Sequence, residues 1–240
     1  MLKIEDNEIQ KVRERYALRD LGLLSQTSLY NPLNPSVYME RQEKERVLIR
    51  WIKETGLTPV QNKRVLEVGC GSGKNLIQLL ALGFQPENLV GNDLLEGRAL
   101  KARHQLPSSI QILIGDASTL ELPKNSFDVV LQSTVFTSIL DTEFQKKLAN
   151  RMWSMVKPQG GVLWYDFIFN NPNNPDVRGI SIQRIHELFP CGKIKVWRLT
   201  LAPPISRRAT KIHPTFYTLL NYIPFLQTHV LCWIEKVKVQ

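Results

Sequence analysis

From residue 63 onward, short apolar runs alternate with segments of helical periodicity, and nothing else in the 240-residue chain narrows its fold as much. "RVLEVG", "NLVGND", "IQILIGD", "FDVVLQS" and "GGVLWYDFIF" are apolar runs of strand length. Between them lie "KNLIQLLALG", "EGRALKARHQ" and "EFQKKLANRMWSMVKP", read as helices, with Gly83 stopping the first and Pro158 ending the third. Strands that are apolar throughout and joined by helices belong in a parallel sheet covered on both faces. Past the fifth strand come a helix, "SIQRIHELFP", a strand, "KIKVWRLTLAP", and a last strand, "HVLCWIEKVKV". The last two strands have no obvious crossover between them, which predicts an antiparallel pair at one edge of the sheet.

Residues 1–62 read as a helical addition ahead of a main domain over 63–240. In "VYMERQEKERVLIRWIKETG" the apolar residues Val47, Leu48, Trp51 and Ile52 make one buried stripe on a helix that ends at Gly56. "YNPLNPS" before it is turn-rich, and "NNPNNPD" at 170–176 is a loop. Residues 203–228 interrupt the pattern as an insertion.

Cys70, Cys191 and Cys232 are far apart and in no metal-ligand spacing, as expected of free thiols in a reducing compartment. The charged N-terminus has no apolar signal region, and no apolar run is long enough to span a bilayer, so a cytoplasmic location is expected. Charge is uneven. Residues 178–240 hold ten Lys/Arg against Glu187 and Glu235, a balance of +8 out of a total of +9. Such a face suits an anionic partner, and equally a solvated surface.

"EVGCGSGKNL", residues 67–76, follows the first strand and opens the first helix. A P-loop needs glycine five residues before the Gly-Lys pair and a hydroxyl after it, but Val68 and Asn75 stand there. A dinucleotide fingerprint needs a third glycine where Lys74 stands. What remains is Glu67, Gly69, Gly71 and Gly73 in Glu-x-Gly-x-Gly-x-Gly, at the carboxyl end of the sheet. Asp93 ends the second strand, where a carboxylate can accept from both hydroxyls of a ribose. Asp116 and Ala117 end the third, placed to meet an adenine ring. A nucleoside with a short tail lacking phosphate fits this set. Plainer roles stay open: a tight turn for the glycines, a helix cap for Asp93, a loop cap for Asp116.

"VLEVGCGSGKN", "VGNDLLEGRALKAR", "IGDASTLELPKNSFDVVLQSTVF" and "MVKPQGGVLWYD" together resemble the class I S-adenosylmethionine-dependent methyltransferases (the methyltransferase-11/25-like domain), over roughly residues 60–170. The resemblance implies an α/β, Rossmann-like, seven-stranded, mostly parallel sheet with one antiparallel strand and helices on both faces. It implies S-adenosyl-L-methionine as cofactor. Gly69, Cys70, Gly71 and Gly73 would let the backbone approach its methionine part, with Glu67 holding the amine directly or through water. Asp93 would take the ribose, Leu94 and Ala117 the ring, Asp116 the adenine amino group, and Gln132 and Ser133 the methyl-donor side. Lys74 reads as a solvent-facing residue.

The cofactor supplies the activated group, so the chain's task is orientation and exclusion of water, with no metal required. For a hydroxyl acceptor a general base would help, and Asp166, His186 and His213 are the candidates. The N-terminal addition, with Tyr30 and Arg41, is expected to form part of the acceptor pocket. "LQSTVF" is not the Asn/Asp-Pro-Pro-Tyr/Phe motif of exocyclic base methylation, and the Pro-Cys in "FPCGK" follows the wrong strand for cytosine C5 chemistry. Paired glutamates of the arginine-methylating type and an added RNA-binding domain are not seen. The sequence thus favours a methyltransferase acting on a small molecule or saccharide, at oxygen, over one acting on RNA or protein through the basic C-terminal face. A non-catalytic cofactor-binding protein is the third reading. The insertion "PPISRRATKIHPTFYTLLNYIPFLQTH" reads as a lid over the acceptor, a peripheral membrane contact, or ordinary packing.

Overall fold

The structure is a computed structural model that describes the backbone of residues 2–23, 31–171 and 174–237, and the side chains of 8–18, 31–171 and 174–237. Tyr30 lies outside the described residues. Seven strands form one sheet in the order β3-β2-β1-β4-β5-β7-β6. They are β1 (Val65–Val68), β2 (Leu89–Asp93), β3 (Gln111–Ile114), β4 (Phe127–Ser133), β5 (Val156–Phe167), β6 (Lys193–Leu201) and β7 (Gln227–Glu235). Strands β1 to β5 pair in parallel, and β7 runs antiparallel between β5 and β6. This is the expected Rossmann-like sheet. Strand order reverses at β1, which lies between β2 and β4, so their carboxyl ends open a crevice there.

Helices cover both faces. On one side α2 (Pro35–Glu54), α3 (Lys74–Ala81) and α4 (Glu96–Gln105) bury Trp51, Leu76, Leu79 and Ala102 against Val65, Leu131, Leu163 and Trp233. On the other, α5 (Thr142–Met155) and α6 (Ile182–Leu188) bury Leu148, Met152 and Ile185 against Leu66, Val130, Trp164 and Cys232. Successive strand residues point to opposite faces, which is why β1, β4 and β5 are apolar at nearly every position. The stripe on α2 is buried as its periodicity predicts.

The third core helix departs from expectation. It stops at Met155, short of Pro158, and the chain passes directly into β5. The residue before a proline avoids helical backbone, and Val156 pairs with Phe127. The Lys236 ammonium then satisfies two carbonyls at the helix end, Trp153 O at 2.9 Å and Val156 O at 2.8 Å.

The N-terminal addition contains α1 (Leu2–Leu23) as well as α2. The insertion folds as α7 (Pro203–Ile212) and α8 (Pro214–Asn221), each with Pro in its first turn. Both pack on α2 and β6. Among the described residues no helix is long and apolar enough to cross a membrane.

Candidate active site

A cavity of about 580 Å³ opens at the carboxyl ends of β1, β2, β3 and β4, within the range of small-molecule pockets. One part is polar. The turn after β1 contributes Gly69, Cys70, Gly71 and Ser72, and α3 adds Asn75, with Lys74 at the rim. Gly71 has φ +55°, and a Cβ there would meet nothing, so the backbone is open to a ligand. Gly69 has φ +69°, and a Cβ there would collide with Val135. Both positions therefore require glycine.

Asp93 is buried at the tip of β2. One carboxylate oxygen accepts from Gly71 N at 2.8 Å and the other from Leu95 N at 2.8 Å. Each oxygen keeps lone-pair capacity for a ligand hydroxyl, because an ionised carboxylate accepts about four hydrogen bonds. Leu94, Asp116 and Ala117 line the cavity beside it. Asp116 also caps its own loop, with oxygens on Ser118 N at 2.8 Å and Ser118 Oγ at 2.6 Å. Open glycine backbone, a ribose-height carboxylate and an acidic residue next to Ala117 fit S-adenosyl-L-methionine.

Three expected cofactor or acid-base residues lie beneath the cavity wall. Glu67 is fully buried, and Asn75 separates it from the cavity. Glu67 accepts from Asn75 Nδ2 at 2.5 Å, and Asn75 Oδ1 accepts from Lys44 Nζ at 2.9 Å. Burial pushes Glu67 up to about 7 and Lys44 down to about 8. Asn75, not Glu67, lines the cavity. Gln132 is also fully buried, with its Oε1 accepting from Val135 N at 3.1 Å. It shapes the turn after β4, where Thr134 has φ +58°, a costly conformation for a β-branched residue. Thr134 N donates to Tyr165 O at 2.9 Å, which helps hold that turn. Ser133 reaches the cavity. Asp166 is wholly buried behind Thr137 and Phe167, and burial pushes its carboxyl up to about 7. Cys70 borders the cavity, but burial pushes its thiol up, so it contributes as a neutral group.

The two histidines are elsewhere. His186 is exposed on α6, and His213 caps α8 by accepting from Thr215 N at 3.2 Å. Neither lines the cavity, and neither does Arg41, exposed on α2. The insertion over 203–228 contributes no lining residue either, so it is not a lid on this cavity.

The sequence pointed to the N-terminal addition through Tyr30 and Arg41, and other residues of that segment form the far wall. Ile9, Val12 and Tyr16 of α1 line it together with Ile139, Phe144 and Leu148. Glu8 ties α1 down: it accepts from Leu140 N at 2.9 Å and pairs with Arg15 at 2.6 Å. Tyr16 donates to Ser138 Oγ at 3.1 Å, and the Arg98 guanidinium lies 4.4 Å from its ring. The signal was present: Ile9, Val12 and Tyr16 recur at helical spacing in a segment otherwise crowded with charge.

A family described as "Methyltransferase domain" matches residues 65–160. The fatty-acid O-methyltransferase of Mycolicibacterium smegmatis is 31% identical over 167 residues, 66% of this chain and 59% of that protein. The malonyl-[acyl-carrier protein] O-methyltransferase of Bacteroides fragilis is 41% identical over 61 residues, 25% of this chain and 12% of that protein. The chain thus spans less than two thirds of the length of these curated relatives. A solved SAM-dependent methyltransferase from Archaeoglobus fulgidus superposes with a TM-score of 0.56 at 16% identity, covering 80% of this chain and 94% of the other. The matched segment runs from β1 into β5 and carries the glycine turn, Asp93 and Asp116; the chain contains a class I S-adenosylmethionine-dependent methyltransferase domain.

Proposed function

We propose that the protein transfers a methyl group from S-adenosyl-L-methionine to an oxygen of a small molecule, and that this oxygen belongs to a carboxylate on an apolar body. The observation that carries the reading is the far wall of the cavity, where Ile9, Val12, Ile139, Phe144, Leu148 and Phe167 leave an apolar surface beside the cofactor residues. Such a wall favours an apolar acceptor over a saccharide, whose hydroxyls need polar partners. Two relatives are O-methyltransferases named for a fatty acid and for malonyl-[acyl-carrier protein], which supports this acceptor class.

When bound, the cofactor supplies a methyl group already activated on a sulfonium. The chain's residues hold and orient. Asp93 would take the ribose hydroxyls, Asp116 the adenine amino group, and the Gly69–Gly71 backbone with Asn75 the methionine part. The apolar wall and α1 exclude water from the transfer. A carboxylate acceptor is ionised at neutral pH and needs no proton removed, which suits a cavity whose candidate bases are buried beneath it or remote from it. Arg98, beside Tyr16, brings positive charge to the cavity border.

The test is transfer of labelled methyl from the cofactor to medium- and long-chain fatty acids, with monosaccharides and RNA as competing acceptors. An alkali-labile methyl ester on the fatty acid is the expected product. Label in RNA, or in an alkali-stable sugar ether, rejects the reading.

A further inference from the structure

The surface of the α7–α8 insertion is used by nothing described above. Both helices turn their inner sides to the fold: α7 buries Ser206, Ala209 and Thr210, and α8 buries Tyr217. The two helices pack on each other and on α2 and β6. Ile212 at the end of α7, Phe216 and Leu219 of α8, and Tyr222 and Phe225 just after it are between 43% and 80% exposed. Five large apolar side chains exposed within fourteen residues is not the scattered exposure of an ordinary surface.

Charge indicates what covers it. Arg207, Arg208 and Lys211 are exposed on the outer side of α7, and none forms an ion pair with another described residue. The sequence has no acidic residue between Glu187 and Glu235. Aromatic and aliphatic side chains interleaved with unopposed cations are the pattern of a helix pair lying in a bilayer interface rich in anionic headgroups.

We propose that the outer face of α7–α8 docks the protein on an anionic lipid surface, with Phe216, Leu219 and Phe225 entering the acyl boundary and Arg207, Arg208 and Lys211 meeting lipid phosphates. The contact is peripheral and reversible. It requires neither methyl transfer nor bound cofactor.

Cosedimentation of the full chain with phosphatidylglycerol/phosphatidylcholine vesicles tests it. Binding is expected to be strong on the mixed vesicles and weak on phosphatidylcholine alone, and to fall with added salt. The triple substitution Phe216→Ser, Leu219→Ser, Phe225→Ser is expected to weaken binding at least tenfold. Arg207→Gln with Arg208→Gln is expected to cost about fivefold per charge on mixed vesicles. These positions are exposed, so unchanged melting temperatures verify that the variants fold. Failure to bind mixed vesicles at low salt, or binding that survives the triple substitution, overturns the proposal. So does a wild-type dimer in solution that the triple substitution returns to monomer, because the face is then a contact between copies. Loss of fatty-acid methylation with vesicle binding intact leaves this proposal standing and rejects the proposed function alone.

Discussion

Asp93 illustrates how one side chain serves fold and ligand together. Its oxygens secure Gly71 N and Leu95 N, which fixes the glycine turn against the start of α4. Asp93→Ala removes both bonds and the ribose acceptor. Calorimetry is expected to show S-adenosylmethionine affinity lower by at least tenfold, and melting is expected to report a loss of about 1–3 kcal/mol. Asp166 makes a different prediction. Burial holds its carboxyl near 7, well above the ordinary carboxylate range. The folded state therefore keeps this proton at a pH where the unfolded chain has lost it, and stability falls as pH rises from about 4 to about 7. Asp166→Asn does not titrate. Its melting temperature is expected to gain on wild type across that window and to hold a constant lead above it, by on the order of 4 kcal/mol, or roughly 8–16 °C. A difference that does not change with pH would show that Asp166 is not the titrating group.

Among the elements, α8 is fastened by one carboxylate. Glu43 of α2 accepts from Thr200 N at 2.9 Å, from Tyr217 Oη at 2.6 Å and from Asn221 Nδ2. Thr200 sits at φ +67°, a conformation that this bond helps to maintain. Glu43→Ala strands three donors, two of them on buried residues, so it is expected to cost about 3 kcal/mol and to speed hydrogen exchange across α8 relative to β4. Unchanged exchange there would mean that apolar packing alone holds the insertion. At the opposite side of the sheet, α1 is attached through Glu8 and Tyr16. Tyr16→Ala opens the far wall without touching Asp93 or the glycine turn. Steady-state kinetics are expected to show the KM for acceptor raised about tenfold, with the affinity for cofactor changed little.

For the molecule as a whole, the cavity joins loops from β1, β2, β3 and β4 with α1 and α5, so a ligand there ties distant parts of the chain together. A ligand that binds only the folded state stabilises it by mass action. S-adenosylmethionine at a hundred times its Kd is expected to add about 2.7 kcal/mol, or roughly 5–10 °C of melting temperature. No shift at saturating cofactor would contradict the assignment of the cavity.

The sheet, its parallel strands, the antiparallel strand near one edge, and the glycine turn with Asp93 and Asp116 are all legible in the residues alone. These depend on local quantities: the period of apolar residues, the positions that only glycine tolerates, and a carboxylate at a strand's end. Tertiary structure decided which polar groups reach the cavity. Glu67, Gln132 and Asp166 stand on strand ends as the pattern says, but Asn75, the strained Thr134 turn and Thr137 come between them and the cavity. Tertiary structure also decided that α1 closes the far wall while the C-terminal insertion packs on α2 and β6. Periodicity shows which face of a helix is apolar and not what it is buried against, since that partner is chosen by contacts such as Glu8 to Leu140 and Glu43 to Tyr217, more than a hundred residues apart.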